Sequence, residues 1–397
     1  MSWVSSNQPR GLAQPLWGLT RRAAVRLAGR QSVLRQANWV LFGAVIALSL
    51  LGTLVIWSAT KQVLGNAYLY KQMLNITIGV ILMLIVSSLD TRHIKLYAPV
   101  LYAAACLGLL AVLSPLGTVV NGARSWISLG AGFQVEPSEF AKLGLILMSA
   151  MVLSEVAAGQ RRPATKAVMV TLGLGAVPVL LVVAEPDLGV TMLLAVLMLG
   201  LIALSGVRLR WLIGMLAAAA LGITAIINLH LLKAYQVSRL AAFINPSADP
   251  RGTGYSAAQA KIAIGSGGLH GVGLFHSQLI AGNYVPEQQT DFIFAVVGNE
   301  LGFIGTMILI GLLAVMLFTA LRIAARAEDQ FGMLVASGIA IWFAVQSFIN
   351  IGMTVGIMPV TGLPLPFVSY GGAALFADMI AIGLLQSIHR RRNVFAA

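Results

Sequence analysis

Charge is scarce in this chain: 10% of its 397 residues are Asp, Glu, Lys or Arg, while 58% are hydrophobic. A soluble domain needs about a quarter of its residues charged to cover a wetted surface, so a water-soluble globule is excluded. Cysteine is all but missing. The single Cys106 lies in an apolar run, which rules out a disulfide framework and a cysteine-ligated metal. Regular alternation of apolar and polar residues is absent too, which argues against a β-barrel in lipid. Acids are half as numerous as bases, 13 against 26, so each carboxylate at membrane depth needs a reason to be there.

What the chain has instead is apolar runs of about 20 residues, enough for a helix to cross roughly 30 Å of hydrocarbon. They fall at 38–58, 72–89, 97–114, 138–157, 165–183, 188–206, 210–229, 291–319, 331–356 and 368–388. The expected fold class is an all-α membrane protein, a bundle of ten transmembrane helices. Cytoplasmic connections retain basic residues, and eighteen of the 26 lie on one side. They are the six arginines of the tail 1–37, then Arg92, Lys95, Arg161, Arg162, Lys166, Arg208, Arg210, Arg322 and Arg326, and Arg390, Arg391 and Arg392. Both termini, 1–37 and 389–397, are therefore expected in the cytoplasm, flanking a membrane domain over 38–388. The net charge of +13 is spread over these loops with no single basic face. It points to membrane lipids with anionic headgroups and not to nucleic acid.

The one long polar interval runs from His230 to Thr290 and is expected as a large extracytoplasmic loop between spans seven and eight. Its core, Asn245 to Tyr255, holds two prolines and two glycines around Asp249 and Arg251. Asp249 precedes Pro250, which excludes helical geometry and fixes a turn; it can cap the following segment or present its carboxylate to a substrate. Lys261 and Glu287 lie further along. The glycines of Gly265–Gly273 fit neither a dinucleotide fingerprint nor a P-loop, and suggest a flexible loop or close approach to lipid. His270 and His276 lack an acidic partner at helical spacing, so zinc is not expected there.

Outside that interval, Glu139 and Lys142 stand at i and i+3 behind Pro137, on one face of a helix. They read either as an ion pair neutralising a lysine or as the lining of a polar cavity. Arg124 precedes Trp126, as a snorkelling arginine beside an interfacial aromatic or as a pyrophosphate ligand. Glu185 and Asp187 share a tight turn, with Asp187 placed to cap the next helix and Glu185 left as the site candidate. The Pro359–Gly372 elbow, with Ser369, has backbone groups that must face a cavity or be covered by protein.

Together NGARSWISLG with PSEFAK, EPDLG, NPSADPRGTGY with KIAIGSGGL, PEQQTDFIFAV with ELGFIG, and GLPLPFVSYGG resemble the SEDS family, the membrane-embedded peptidoglycan polymerases typified by RodA and FtsW. The blocks come in order over nearly the whole chain. Asn350 to Met353 and the Pro364-Leu365-Pro366 elbow lean to the RodA branch. The resemblance implies a glycosyltransferase in the bacterial cytoplasmic membrane that polymerises lipid II on its outer face. Asp249 is then the general base, and undecaprenyl pyrophosphate the leaving group. Arg124, Glu139, Lys142, Glu185, Arg251, Lys261, Glu287 and Ser369 are the candidate substrate-binding residues. A divalent cation such as Mg or Mn could share the charge of the pyrophosphate, and a class B penicillin-binding protein is the implied partner. Departures from the family pattern stand at Glu136, Gln289 and Asn299, so no catalytic role is expected of 289 or 299. The competing readings are a lipid II flippase and an ion-coupled transporter. No internal repeat of the kind common in transporters is seen.

Overall fold

The computed structural model describes residues 36–120, 123–130, 133–155, 163–229, 234–245 and 252–395. Asp249 and Arg251 lie outside the described residues, as does nearly all of the tail 1–37. Asn38–Ala397 form the helical body. Its helices are α1 (Trp39–Leu64), α2 (Ala67–Ser88), α3 (Thr91–Leu113), α4 (Pro137–Ser154), α5 (Thr165–Ala184), α6 (Leu188–Leu204), α7 (Leu209–Asn228), α8 (Ala234–Ile244), α9 (Thr253–Gly267), α10 (Gln278–Ala281), α11 (Ile293–Glu300), α12 (Gly302–Ala325), α13 (Gln330–Val355) and α14 (Gly372–Phe395). Eight are long and apolar enough to cross a membrane; α6 and the first part of α7 are shorter apolar helices.

Helix starts follow local chemistry. The side chains of Asn38, Asp90, Asp187 and Asp329 each accept a hydrogen bond from a backbone N–H in the first turn that follows, satisfying donors a helix start leaves open. Asp187 is thus the cap its spacing suggests. Helices α4 and α13 sit at the centre, buried over 72% of their apolar windows against 22% for α3 and 28% for α2 and α5. A helix apolar on all sides belongs inside, and these two carry the buried polar residues Glu139, Lys142, Gln346 and Asn350.

The structure departs from the expected fold in three places. A three-stranded antiparallel sheet, β1 (Gly117–Val120), β2 (Ala123–Gly130) and β3 (Phe133–Val135), precedes α4, so the fold is mostly helical and not all-α. Span eight is broken between α11 and α12, where Gly302 has φ +66°. Backbone groups freed by such a break must find partners in protein, and the 268–273 strap supplies them: Val272 N–H donates to Asn299 O and Gly273 N–H to Glu300 O, while Gly268 O and Leu269 O accept from Phe303 and Ile304. Gly267 and Gly271 therefore serve close backbone packing, with no room for a Cβ at Gly267 against Gly298 O or at Gly271 against Glu300 O. Third, the last helix starts at Gly372, after the Pro364 and Pro366 elbow, and continues to Phe395 through the expected tail. Its Arg391 pairs with Asp329 at 2.8 Å, and Arg390 donates to Ser88 O. The C-terminus and the connections near residues 89 and 328, all expected on the basic side, thus meet at one end.

Candidate functional site

A cavity of about 600 Å³ opens among the N-termini of α2, α4, α6 and α14, the sheet, α8 and the Pro359–Gly372 elbow. Tyr68, Lys71 and Asn75 line it from one face of α2, at i, i+3 and i+7. Trp126 and Gln134 line it from the sheet, Arg239 from α8, and Tyr370 from the elbow. Four carboxylates complete the rim: Glu136, Asp187, Glu287 and Asp291.

The elbow wall is held from behind. Gln346 and Asn350 stand one turn apart on α13. Gln346 Nε2 donates to Pro364 O at 2.8 Å, and Asn350 Nδ2 donates to Leu363 O at 2.8 Å and to Asp291 O at 2.9 Å. Ser369 Oγ donates to Thr290 O at 2.6 Å and accepts from Leu365 N–H, and Tyr370 N–H donates to Gln289 O. Side-chain amides and one hydroxyl thus take the place of helical bonds that two prolines forbid. They also tie the elbow to the segment 287–291.

Behind that wall, Lys142 is fully buried. Its Nζ lies 2.5 Å from Glu139 Oε2, 3.1 Å from Gln346 Oε1 and 4.6 Å from the centre of the Trp342 ring. The pair predicted at i and i+3 is formed, as a buried ion pair one layer behind the cavity.

Burial is the largest influence on three of the rim carboxylates. Burial, then the Glu287 charge, pushes Asp291 up to about 7. Burial, then Glu139 and Asp187, holds Glu136 well above the carboxylate range, and burial raises Asp187. At neutral pH the rim therefore carries less negative charge than its four acids suggest. Among the described residues no group of three or more His, Cys, Asp or Glu is placed to hold a metal ion.

Of the candidate site residues, Glu287 lines the cavity; Glu139, Lys142 and Ser369 support it from behind. Glu185 is buried one residue from the lining Pro186, neither carboxylate oxygen hydrogen-bonded. Arg124 lies on β2 next to the lining Ser125 and is not itself in the lining. Lys261 is exposed on α9, its ammonium against Gly356 at the C-terminus of α13, where a cation is favoured by the helix dipole. Sequence reading missed Arg239 and Lys71, although Arg239 falls within the polar interval. It also passed over Asp378, a fully buried carboxylate in α14 that accepts from Phe367 N–H of the elbow; an acid inside the last apolar run was the available signal.

The family model FTSW_RODA_SPOVE, described as a cell cycle protein, matches residues 34–394. The chain is 38% identical over 352 residues to the peptidoglycan glycosyltransferase MrdB of Escherichia coli K12, covering 89% of this chain and 93% of that protein. It is 36% identical to stage V sporulation protein E of Bacillus subtilis, covering 84% and 90%. Among solved structures it is similar to a chain of a peptidoglycan synthase complex studied for coordinated polymerization and crosslinking, with TM-score 0.76, 31% identity and coverage of 90% and 98%. It is also similar to the rod shape determining protein RodA of Thermus thermophilus, with TM-score 0.65, 29% identity and coverage of 90% and 97%.

Proposed function

The chain belongs to the FtsW, RodA and SpoVE family, which is the SEDS family, and from that premise we propose that its cavity polymerises lipid II with Asp249 as general base. The protein is a multi-pass membrane peptidoglycan glycosyltransferase of RodA-like type. The observation that carries the site assignment is that one polar cavity is lined from both sides of the interval holding Asp249, by Arg239 before it and by Glu287 to Asp291 after it.

In this reading all ten apolar helices cross the membrane, with both termini cytoplasmic and the cavity on the outer side of the bacterial cytoplasmic membrane. Asp249 takes the proton of the acceptor GlcNAc 4-hydroxyl as that oxygen attacks the anomeric carbon of the donor MurNAc. The bond from that carbon to undecaprenyl pyrophosphate breaks on the opposite face, and the configuration inverts. The pyrophosphate leaves as a stabilised anion, so cations matter more than an acid. Lys71 at the rim and Arg124 beside it are the protein's own candidates, together with Arg251 two residues after Asp249 in the sequence. An Mg or Mn ion bound with the pyrophosphate would supply further positive charge. Raised acids at the rim, Glu136, Asp187 and Asp291, reduce the repulsion an anionic lipid meets on entry. A class B penicillin-binding protein would cross-link the product.

The test is polymerisation of lipid II by the purified full chain in lipid nanodiscs. Wild type is expected to make glycan, and Asp249→Asn, equally well folded, none; polymer from that variant would refute the assignment. A flippase would instead move labelled lipid II across liposomes whether or not Asp249 is present.

A further inference from the structure

The interval that carries Asp249 is anchored on its N-terminal side by one short helix, α8, of 11 residues. Its main helical neighbour is α9. Arg239 supplies a different kind of hold. Its Nη1 donates to Thr361 O at 3.1 Å, across 122 residues of chain. Its positive charge is also felt by Asp187 at the start of α6 and by Asp291 before α11. Thr361 belongs to the elbow, the part of the cavity fixed from behind by Gln346 and Asn350. A guanidinium offers five donors in a rigid planar fork and remains charged at any relevant pH. It therefore fixes direction as well as distance.

We propose that Arg239 is a positioning residue: it latches α8 to the elbow and so holds the N-terminal anchor of the interval that carries Asp249. The inference rests on the reading of Asp249 as the base. Displacement of a reacting group by about 1 Å can cost on the order of 100-fold in rate, so the latch should be visible in turnover more than in binding.

The experiment uses the full chain in nanodiscs with lipid II, comparing wild type, Arg239→Ala, Arg239→Lys and Asp249→Asn, with hydrogen exchange followed over 234–245 and 359–372. Arg239→Ala is expected to lose about 100-fold in kcat with KM within about threefold, and to lose amide protection in α8 while the elbow keeps its own. Arg239→Lys, which retains the charge and a donor for Thr361 O but not the fork, is expected to recover an intermediate kcat at unchanged KM. It carries the test alone if the alanine variant does not fold. Wild-type kcat in both variants would overturn the proposal, as would a fall in kcat with α8 protection intact. A rise in KM at preserved kcat would also overturn it, by making Arg239 a substrate ligand. If Asp249→Asn stays active, the base assignment falls and this inference with it; if that variant is inactive while Arg239→Ala is not, only the inference falls.

Discussion

Behind the cavity wall, Lys142, Gln346, Asn350 and Ser369 direct their donors at fixed protein acceptors, the carbonyls of 290, 291, 363 and 364 or the Glu139 carboxylate. At the rim, Glu136, Asp187, Glu287 and Asp291 share one space with Lys71 and Arg239. The two regions are a few residues apart in sequence, as Glu136 and Glu139 show, and use the same chemical groups. They differ in what else they face: the first is enclosed by protein, whereas the second, which also holds partners such as Val190 N–H on Asp187 and Thr361 O under Arg239, borders the cavity. Polar residues in a membrane bundle thus divide into those enclosed by protein and those that also border the cavity. The first group should be felt mainly as stability, the second as turnover.

The sharpest break of that contrast is Lys142→Ala. Removing one partner of a buried pair leaves Glu139 uncompensated, at a cost of about 3–5 kcal/mol, and the variant is expected to lose its monodisperse folded form. Replacing both, as Lys142→Met with Glu139→Leu, removes the stranded charge and should fold close to normally. Thermal unfolding reads the first effect, and lipid II turnover of the double variant reads the second. Retained turnover would place the pair wholly in the supporting layer; a folded but inactive double variant would move it to the working side.

Next in size is Gly267→Ala. A Cβ there meets Gly298 O and the backbone of Asn299, so the strap that satisfies the broken α11–α12 junction must move. Overpacking of this kind costs about 1–3 kcal/mol, and turnover should fall with stability, because α11 leads from the Asp291 rim. A stable, active alanine variant would show that the junction finds other partners.

Asn350→Ala is smaller. It deletes two hydrogen bonds, to Leu363 O and Asp291 O, each worth about 1 kcal/mol net. Thermal unfolding should register the loss, and hydrogen exchange should show the elbow loosening first.

The ten apolar helices and the Glu139–Lys142 pair were legible because hydrophobic period and i, i+3 spacing are local properties. The cap at Asp187 was legible for the same reason. The sheet was not: its strands are short, and Gly117, Gly122, Gly130 and Gly132 read as loop. Arg239 and Thr361 are 122 positions apart, and no local pattern announces such a contact. The glycines of the strap were seen, but their purpose depended on the position of Gly298 and Glu300, which only tertiary packing supplies. Asp249, the residue on which the chemistry was read most firmly, owes its place to the resemblance and not to spacing.

The finest test lies at Glu185, where burial, then the Asp187 charge, lifts the carboxyl from 4.5 to about 8. An acid raised in the folded state binds its proton more tightly there than in the unfolded chain. Its contribution is fully present below about 4.5 and is lost as pH rises through about 8. Wild-type thermal stability is therefore expected to decline across that window, and Glu185→Gln, which cannot ionise, should flatten the decline and be the more stable form above it. A pH scan of the unfolding temperature in nanodiscs measures this. If the glutamine variant follows the wild-type curve, Glu185 ionises freely and belongs with the rim; if the curve flattens while turnover persists, it belongs to the layer behind.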